Sequence, residues 1–244
     1  MSMLTDSSLS GYNIYMNILY ALLAGILPSL LWLWFWLRED NLHPEPRSLI
    51  TASFIAGMLV VIAAIVLEKY TADIFTDEKY KYIVWAAIEE ISKFLAVAII
   101  AFRSKHLDEP IDAMIYFITV ALGFVAVENA LFILSPLVDG EITKSIVTGN
   151  MRFVGASLVH IVSSAVIGFM FGIAFYKKRI VKIFSTIIGV ILAITLHASF
   201  NLSIINETVT NTLKVFGLVW VAVVILIMLF EEIKGINNNK HSTL

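Results

Sequence analysis

Cysteine is absent from the 244 residues, which removes disulfides, thiolate nucleophiles and cysteine-ligated metals at once. Charge is scarce: Asp, Glu, Lys and Arg make up 15% of the chain against 59% hydrophobic residues, and the mean hydropathy is +0.88. That balance excludes an ordinary soluble domain. No basic run with interleaved aromatics occurs, so no nucleic-acid partner is expected. Low-complexity stretches are missing too, and a single membrane-embedded domain over 1–244 is expected. No Lys or Arg precedes the first apolar stretch, and its run through Trp32, Trp34, Phe35 and Trp36 outlasts a signal-peptide core. This segment is expected to stay in the mature protein.

What the chain does have is a succession of long apolar runs. A helix needs about 20 mostly apolar residues to cross a bilayer, and seven such segments recur, at about 13–37, 49–67, 82–102, 111–134, 153–176, 180–203 and 212–230. The predicted fold is therefore all-α: a polytopic helix bundle of about seven transmembrane helices in the cell membrane, with the lipid bilayer as its solvent. The stretches 68–81 and 135–152 read as the longest loops. Arg38, Arg47, Arg103, Lys105, Lys177, Lys178, Arg179, Lys182, Lys234 and Lys240 fall on one side, ten residues against six on the other (Lys69, Lys79, Lys81, Lys144, Arg152 and Lys214). This predicts an N-out, C-in arrangement. Asn206-Glu207-Thr208 matches a glycosylation sequon on the outer side, one expected to be idle in a prokaryotic host.

Ionised residues near the bilayer centre cost roughly 2.5–3.5 kcal/mol each on insertion scales, and usually serve a purpose. In the third span Glu89, Glu90 and Lys93 lie at 0°, about 100° and about 40° around a helix of 3.6 residues per turn. Lys93, one turn on, can neutralise one carboxylate and leave the other free for work. The fourth span adds Glu128, the fifth His160 and the sixth His197. At about 1.5 Å per residue these lie about 9–11 Å from the outer ends of their spans. They form one layer in the outer half of the membrane. Asn201 follows His197 by one turn and could orient the imidazole or donate to a developing oxyanion. Phe124, on the face of Glu128, reads as core, and Gly168 with Gly172 as a close helix contact.

Carboxylates and imidazoles in one layer can hold a divalent metal such as zinc and so generate a nucleophile from water. They can also work without metal, a desolvated Glu activating water while His and Asn stabilise the tetrahedral intermediate. Both routes hydrolyse an acyl bond. A proton- or ion-coupled transporter uses similar intramembrane groups, and a non-catalytic scaffold is a third reading. Rhomboid-type serine chemistry lacks its G-x-S-G loop, since Leu158 follows Gly155-Ala156-Ser157; an aspartyl mechanism lacks its pair, and H-E-x-x-H is absent.

Glu89-Glu90-Ile91-Ser92-Lys93 resembles the E-E-x-x-K motif of the PrsW family of intramembrane proteases, and Phe124 to Glu128 its F-x-x-x-E motif. Arg152, His160 and Gly168 fit the family's R-x7-H-x7-G spacing, and His197 with Asn201 is similar to its last motif. The first loop, His43-Pro44-Glu45-Pro46 after Arg38-Glu39-Asp40, is also PrsW-like, so the resemblance runs from about Leu27 to Asn201. A CAAX-type prenyl endopeptidase is the alternative enzyme reading, but Lys93 and Glu128 stand where that related group would carry Arg and His. The resemblance implies an endopeptidase that cuts single-pass membrane proteins, such as anti-sigma factors, near the outer face. Its catalytic core is expected at about 82–203. Glu89 or Glu90 is expected to activate water, with Lys93 holding the other carboxylate. Glu128, His160 and His197 complete the site, with Glu90, Glu128, His160 and His197 as the expected metal ligands. Arg152 is expected to anchor the fifth span at the membrane surface.

Overall fold

The computed structural model describes residues 3–38, 44–205 and 209–241, and these form helices and turns with no strand. The helices are α1 (Met3–Leu37), α2 (Arg47–Ala72), α3 (Glu78–Ile100), α4 (Pro110–Val138), α5 (Ile142–Met151), α6 (Ser157–Ile173), α7 (Arg179–Ile205) and α8 (Val209–His241). A π-helical turn, Arg152–Ala156, joins α5 to α6. Among the described residues six helical stretches are long and apolar enough to cross a membrane: 14–37, 47–72, 110–138, 142–173, 179–204 and 212–236. Helix α3 is the seventh of the expected spans. Its 23 residues reach about 35 Å, and Glu89, Glu90 and Lys93, which make it too polar on composition, are all buried.

The bundle is built around α4. From Ile111 to Ala126 this helix carries Met114, Ile115, Phe117, Ile118, Val120, Leu122 and Phe124 on every side, and a helix apolar all round belongs inside. Every residue from Pro110 to Ala126 is buried, and α1, α2, α3, α5, α6 and α8 all touch it. The outer helices turn apolar faces to lipid instead, as with Leu59, Ile62 and Val66 of α2 and Ile187, Ile188 and Ile191 of α7. Glycine brings the backbones together. A Cβ on Gly57 of α2 would lie 2.1 Å from the Val120 carbonyl oxygen, and one on Gly123 of α4 would lie 1.9 Å from that of Phe54. A Cβ on Gly168 of α6 would lie 2.6 Å from Met114 Cα, which agrees with the close helix contact expected of it.

Helix α4 starts on a capping box in which the Asp112 carboxylate accepts from the backbone N–H of Glu109 at 2.6 Å, with Pro110 opening the first turn. At its far end Gly140 takes φ 79°, and the chain reverses in residues 139–141. The stretch 135–152, expected as a loop, is therefore mostly helix, and the fifth span begins at Ile142 rather than Phe153. Hydropathy misses α5 because Thr143, Lys144, Ser145, Thr148 and Asn150 dilute it, while Ser145 turns inward to bond the Ile133 carbonyl. The stretch 68–81 shortens to a five-residue connection, 73–77, because α2 carries Glu68 and Lys69 within its last turns. Of the first-loop motif, Glu45 accepts a hydrogen bond from Tyr116. Glu39, Asp40 and His43 lie outside the described residues, as does the sequon at 206–208.

Candidate active site

Four helices, α3, α4, α6 and α7, bring the charged layer together. On α3 the wedge predicted for Glu89, Glu90 and Lys93 faces inward, and the three are 7%, 0% and 0% exposed. Lys93 Nζ donates to Glu90 Oε1 at 2.6 Å and lies 2.9 Å from His160 Nδ1. The same Glu90 oxygen is 2.8 Å from His197 Nδ1, and Ser164 Oγ donates to Oε2 at 3.2 Å. Glu90 is thus saturated, and its carboxylate requires the His197 proton on Nδ1, which leaves the Nε2 lone pair toward the cavity.

Glu89 differs sharply. Its Oε2 is buried and has no hydrogen-bond partner among the described residues; the nearest groups are His160 Nδ1 at 3.7 Å and His197 Nε2 at 3.9 Å. The two imidazoles meet edge to face with centroids 4.7 Å apart. Phe124 backs them, its ring 5.7 Å from His160 and 4.8 Å from Lys93 Nζ, so this core residue also forms the floor of the site.

Arg152 does not anchor the helix at the surface. Its Nη2 lies 2.7 Å from Glu128 Oε2, which in turn lies 3.0 Å from His160 Nε2, while Arg152 Nε donates to Asn129 Oδ1 at 2.5 Å. Asn129 passes the chain on to Ser157 Oγ at 3.0 Å. The π-turn explains this placement. Eight residues of regular α-helix would put Arg152 and His160 about 80° apart, whereas absorbing one residue in a wider turn brings them to within about 20°. Both then face Glu128. Deleting Val154, a half-exposed residue of that turn, should leave an unbroken α-helix with Arg152 and His160 still on one face. The variant is expected to insert and to keep its activity in a reconstituted assay; loss of activity with normal insertion would show that the wider turn itself is needed.

The layer opens on a cavity of about 600 Å³ lined by Glu68, Trp85, Glu89, Glu128, His160, His197 and Asn201 among others. It lies in the half of the bundle formed by the N-terminal ends of α3, α6 and α8 and the C-terminal ends of α2, α4 and α7. Asn201 lines it one turn from His197. The residues that spacing did not single out are Glu68, which reads as loop from sequence, and Asn129, whose angle to Glu128 gave no hint that Arg152 would come to it.

A metal fits these residues. Glu89, His160 and His197 offer ligand atoms that all lie within 4.8 Å of one another, the set is the N, N, O kind that zinc accepts, and the orphaned Glu89 oxygen is part of it. Glu90, expected among the ligands, is committed to Lys93, Ser164 and His197 and stands behind the set as the carboxylate that orients an imidazole. Glu128 is likewise committed to Arg152. Both nitrogens of His160 have neighbours, Lys93 at Nδ1 and Glu128 at Nε2, so holding an ion takes one of those contacts from it.

Several proteins named Protease PrsW are similar to this chain. Protease PrsW of Geobacillus kaustophilus is 27% identical over 161 residues, 64% of this chain and 68% of that protein. Protease PrsW of Shouchella clausii is 27% identical over 182 residues, covering 73% of this chain and 80% of its own length, and that of Bacillus subtilis is 23% identical over 185 residues, 73% and 79% respectively. No solved structure matches the chain. The family model described as PrsW family intramembrane metalloprotease matches residues 45–229, a stretch that contains every helix of the site, and the chain belongs to that family.

Proposed function

We propose that this multi-pass membrane protease hydrolyses a peptide bond of single-pass membrane proteins of the anti-sigma-factor kind, near the non-cytoplasmic face, with Glu89 taking the proton from water. The observation that carries the reading is the buried, unpartnered Glu89 Oε2 beside two imidazoles at the wall of a cavity large enough for a peptide segment. A general base needs an open acceptor within reach of water, and of the three carboxylates in the charged layer Glu90 is paired with Lys93 and Glu128 with Arg152, which leaves Glu89.

Glu89, His160 and His197 would hold a divalent ion such as zinc, the Glu89 carboxylate giving one oxygen to the ion and keeping the other for the proton of water. When bound, such an ion supplies a Lewis acid and lowers the pKa of water. The chain's own groups do the rest. Glu90 accepts from His197 Nδ1 and fixes that ring's tautomer; Lys93 keeps Glu90 ionised in place. Arg152 holds Glu128 against His160. Asn201 is placed along the cavity to donate to the carbonyl oxygen as it gains charge, and Glu89 returns its proton to the departing amine. The Lys and Arg distribution supports a reading in which the cavity half of the bundle faces outward, and a reporter fused at Lys178 should then read as cytoplasmic.

The test is cleavage of a single-pass peptide by the purified, reconstituted protein. Wild type is expected to cut near the outer end of the substrate helix, to stop on chelation and to recover with zinc, while His197→Ala stays inactive with or without the metal and inserts normally. Full activity in metal-free protein would overturn the metal assignment. Undiminished cleavage by Glu89→Ala, Glu90→Ala and His197→Ala would overturn the site itself.

A further inference from the structure

Glu68 lines the active-site cavity from α2, and the chemistry described so far makes no use of it. Each of the other carboxylates there has its counter-group: Glu90 has Lys93, Glu128 has Arg152, and Glu89 stands with two imidazoles in the candidate metal group. Glu68 makes no side-chain hydrogen bond or ion pair among the described residues. Tyr82 and Trp85 of α3 line the same cavity, packed edge to face with centroids 5.4 Å apart. These rings accept an ammonium, because Lys81 Nζ, paired with Glu78, lies 5.9 Å from Tyr82 and 5.6 Å from Trp85. A carboxylate without a cation and two electron-rich rings form the pocket that a lysine or arginine side chain takes.

We propose that Glu68, Tyr82 and Trp85 form a substrate subsite for a basic side chain; the proposal rests on the proteolytic reading of the neighbouring site. Its position gives a register. Glu68 lies four residues from the end of α2 and Glu89 eleven residues into α3, about 6 Å and about 16 Å from the same rim of the bundle. An extended peptide covers the difference in about three residues. The basic residue therefore sits about three positions to the rim side of the scissile bond. Lys and Arg are sparse in the outer flanks of membrane segments, so the subsite narrows the range of substrates.

The experiment measures binding, so that it does not depend on turnover. Fluorescent single-pass peptides with Lys or Gln stepped through the first five positions on the rim side of the scissile bond are titrated against the Glu89→Gln protein in nanodiscs. The Lys peptide is expected to bind about tenfold more tightly than the Gln peptide at the third position. Adding Glu68→Gln, which keeps the shape, should erase that ratio, and Glu68→Lys should favour a peptide carrying Glu. Equal binding of Lys and Gln peptides at every position overturns the subsite, as does a Glu68→Gln effect that weakens both peptides alike. Lys discrimination in a protein whose wild type cuts neither peptide overturns the proteolytic reading and leaves the subsite standing.

Discussion

Glu89→Gln in the reconstituted protease is expected to lower kcat/KM for a single-pass peptide by about 10³-fold, within the range that loss of a positioned general base produces. Stability should barely change. Glu89 Oε2 has no hydrogen-bond partner among the described residues, so an amide of the same shape gives up no hydrogen bond at that oxygen. Zinc content should fall with activity, because the amide removes the anionic donor of the Glu89, His160 and His197 group. Glu90→Gln should behave differently: Lys93 Nζ at 2.6 Å and His197 Nδ1 at 2.8 Å both rely on the Glu90 charge, so this variant loses stability as well as rate. Thermal unfolding, metal content and kinetics on the two variants separate the roles. A Glu89→Gln protein that cuts at the wild-type rate would remove Glu89 from the chemistry and return the role of base to Glu90 or Glu128.

The distinction between these adjacent carboxylates marks the limit of what the sequence carries. Helical spacing places Glu89, Glu90 and Lys93 in one wedge, and the alternation of span direction places Glu128, His160 and His197 at the same depth; the structure brings all six into one cluster. A period of 3.6 residues cannot say which carboxylate Lys93 chooses. That depends on His160 and Ser164 of α6 and on His197 of α7, which close around Glu90 only when three helices are packed. The group that could hold an ion in the structure is therefore Glu89, His160 and His197, whereas the expectation from sequence is Glu90, Glu128, His160 and His197.

Arg152 is the clearest case of a hidden relation. Hydropathy puts it just outside a span, and regular helical geometry leaves it on the side of His160 but about 80° from it, so a surface anchor is the natural reading of the sequence. The π-turn at Arg152–Ala156 is a local departure from that geometry, and it carries Arg152 to Glu128. Span boundaries err in the same direction. Hydropathy sees where apolar side chains stop, whereas backbone hydrogen bonding continues: α5 is a helix although half its residues are polar, and α2 keeps Glu68 in its last turns. The family resemblance read from four motifs is matched by a family model over 45–229, which sets aside the transporter and prenyl endopeptidase readings.

Lys93→Met should be among the most destabilising single substitutions in the chain. Lys93 and Glu90 are both fully buried, and removing one partner of such a pair leaves an uncompensated charge at a cost of about 3–5 kcal/mol. Ser164 and His197 still donate to Glu90, but neither carries the fixed positive charge, and His160 Nδ1 loses its neighbour at 2.9 Å as well. Removing both charges in Lys93→Met/Glu90→Gln should restore most of the lost stability, because the desolvation penalty then disappears with the attraction. Activity should not return. A neutral amide holds the His197 imidazole less firmly than a carboxylate does, and loss of such an orienting group costs about 10–100-fold. Stability recovered without activity would identify the pair as a structural unit that also orients the catalytic ring. If Lys93→Met unfolds at the wild-type temperature, the pair is not what holds the Glu90 charge inside the bundle; if the double variant recovers both properties, Glu90 has no part in orienting His197.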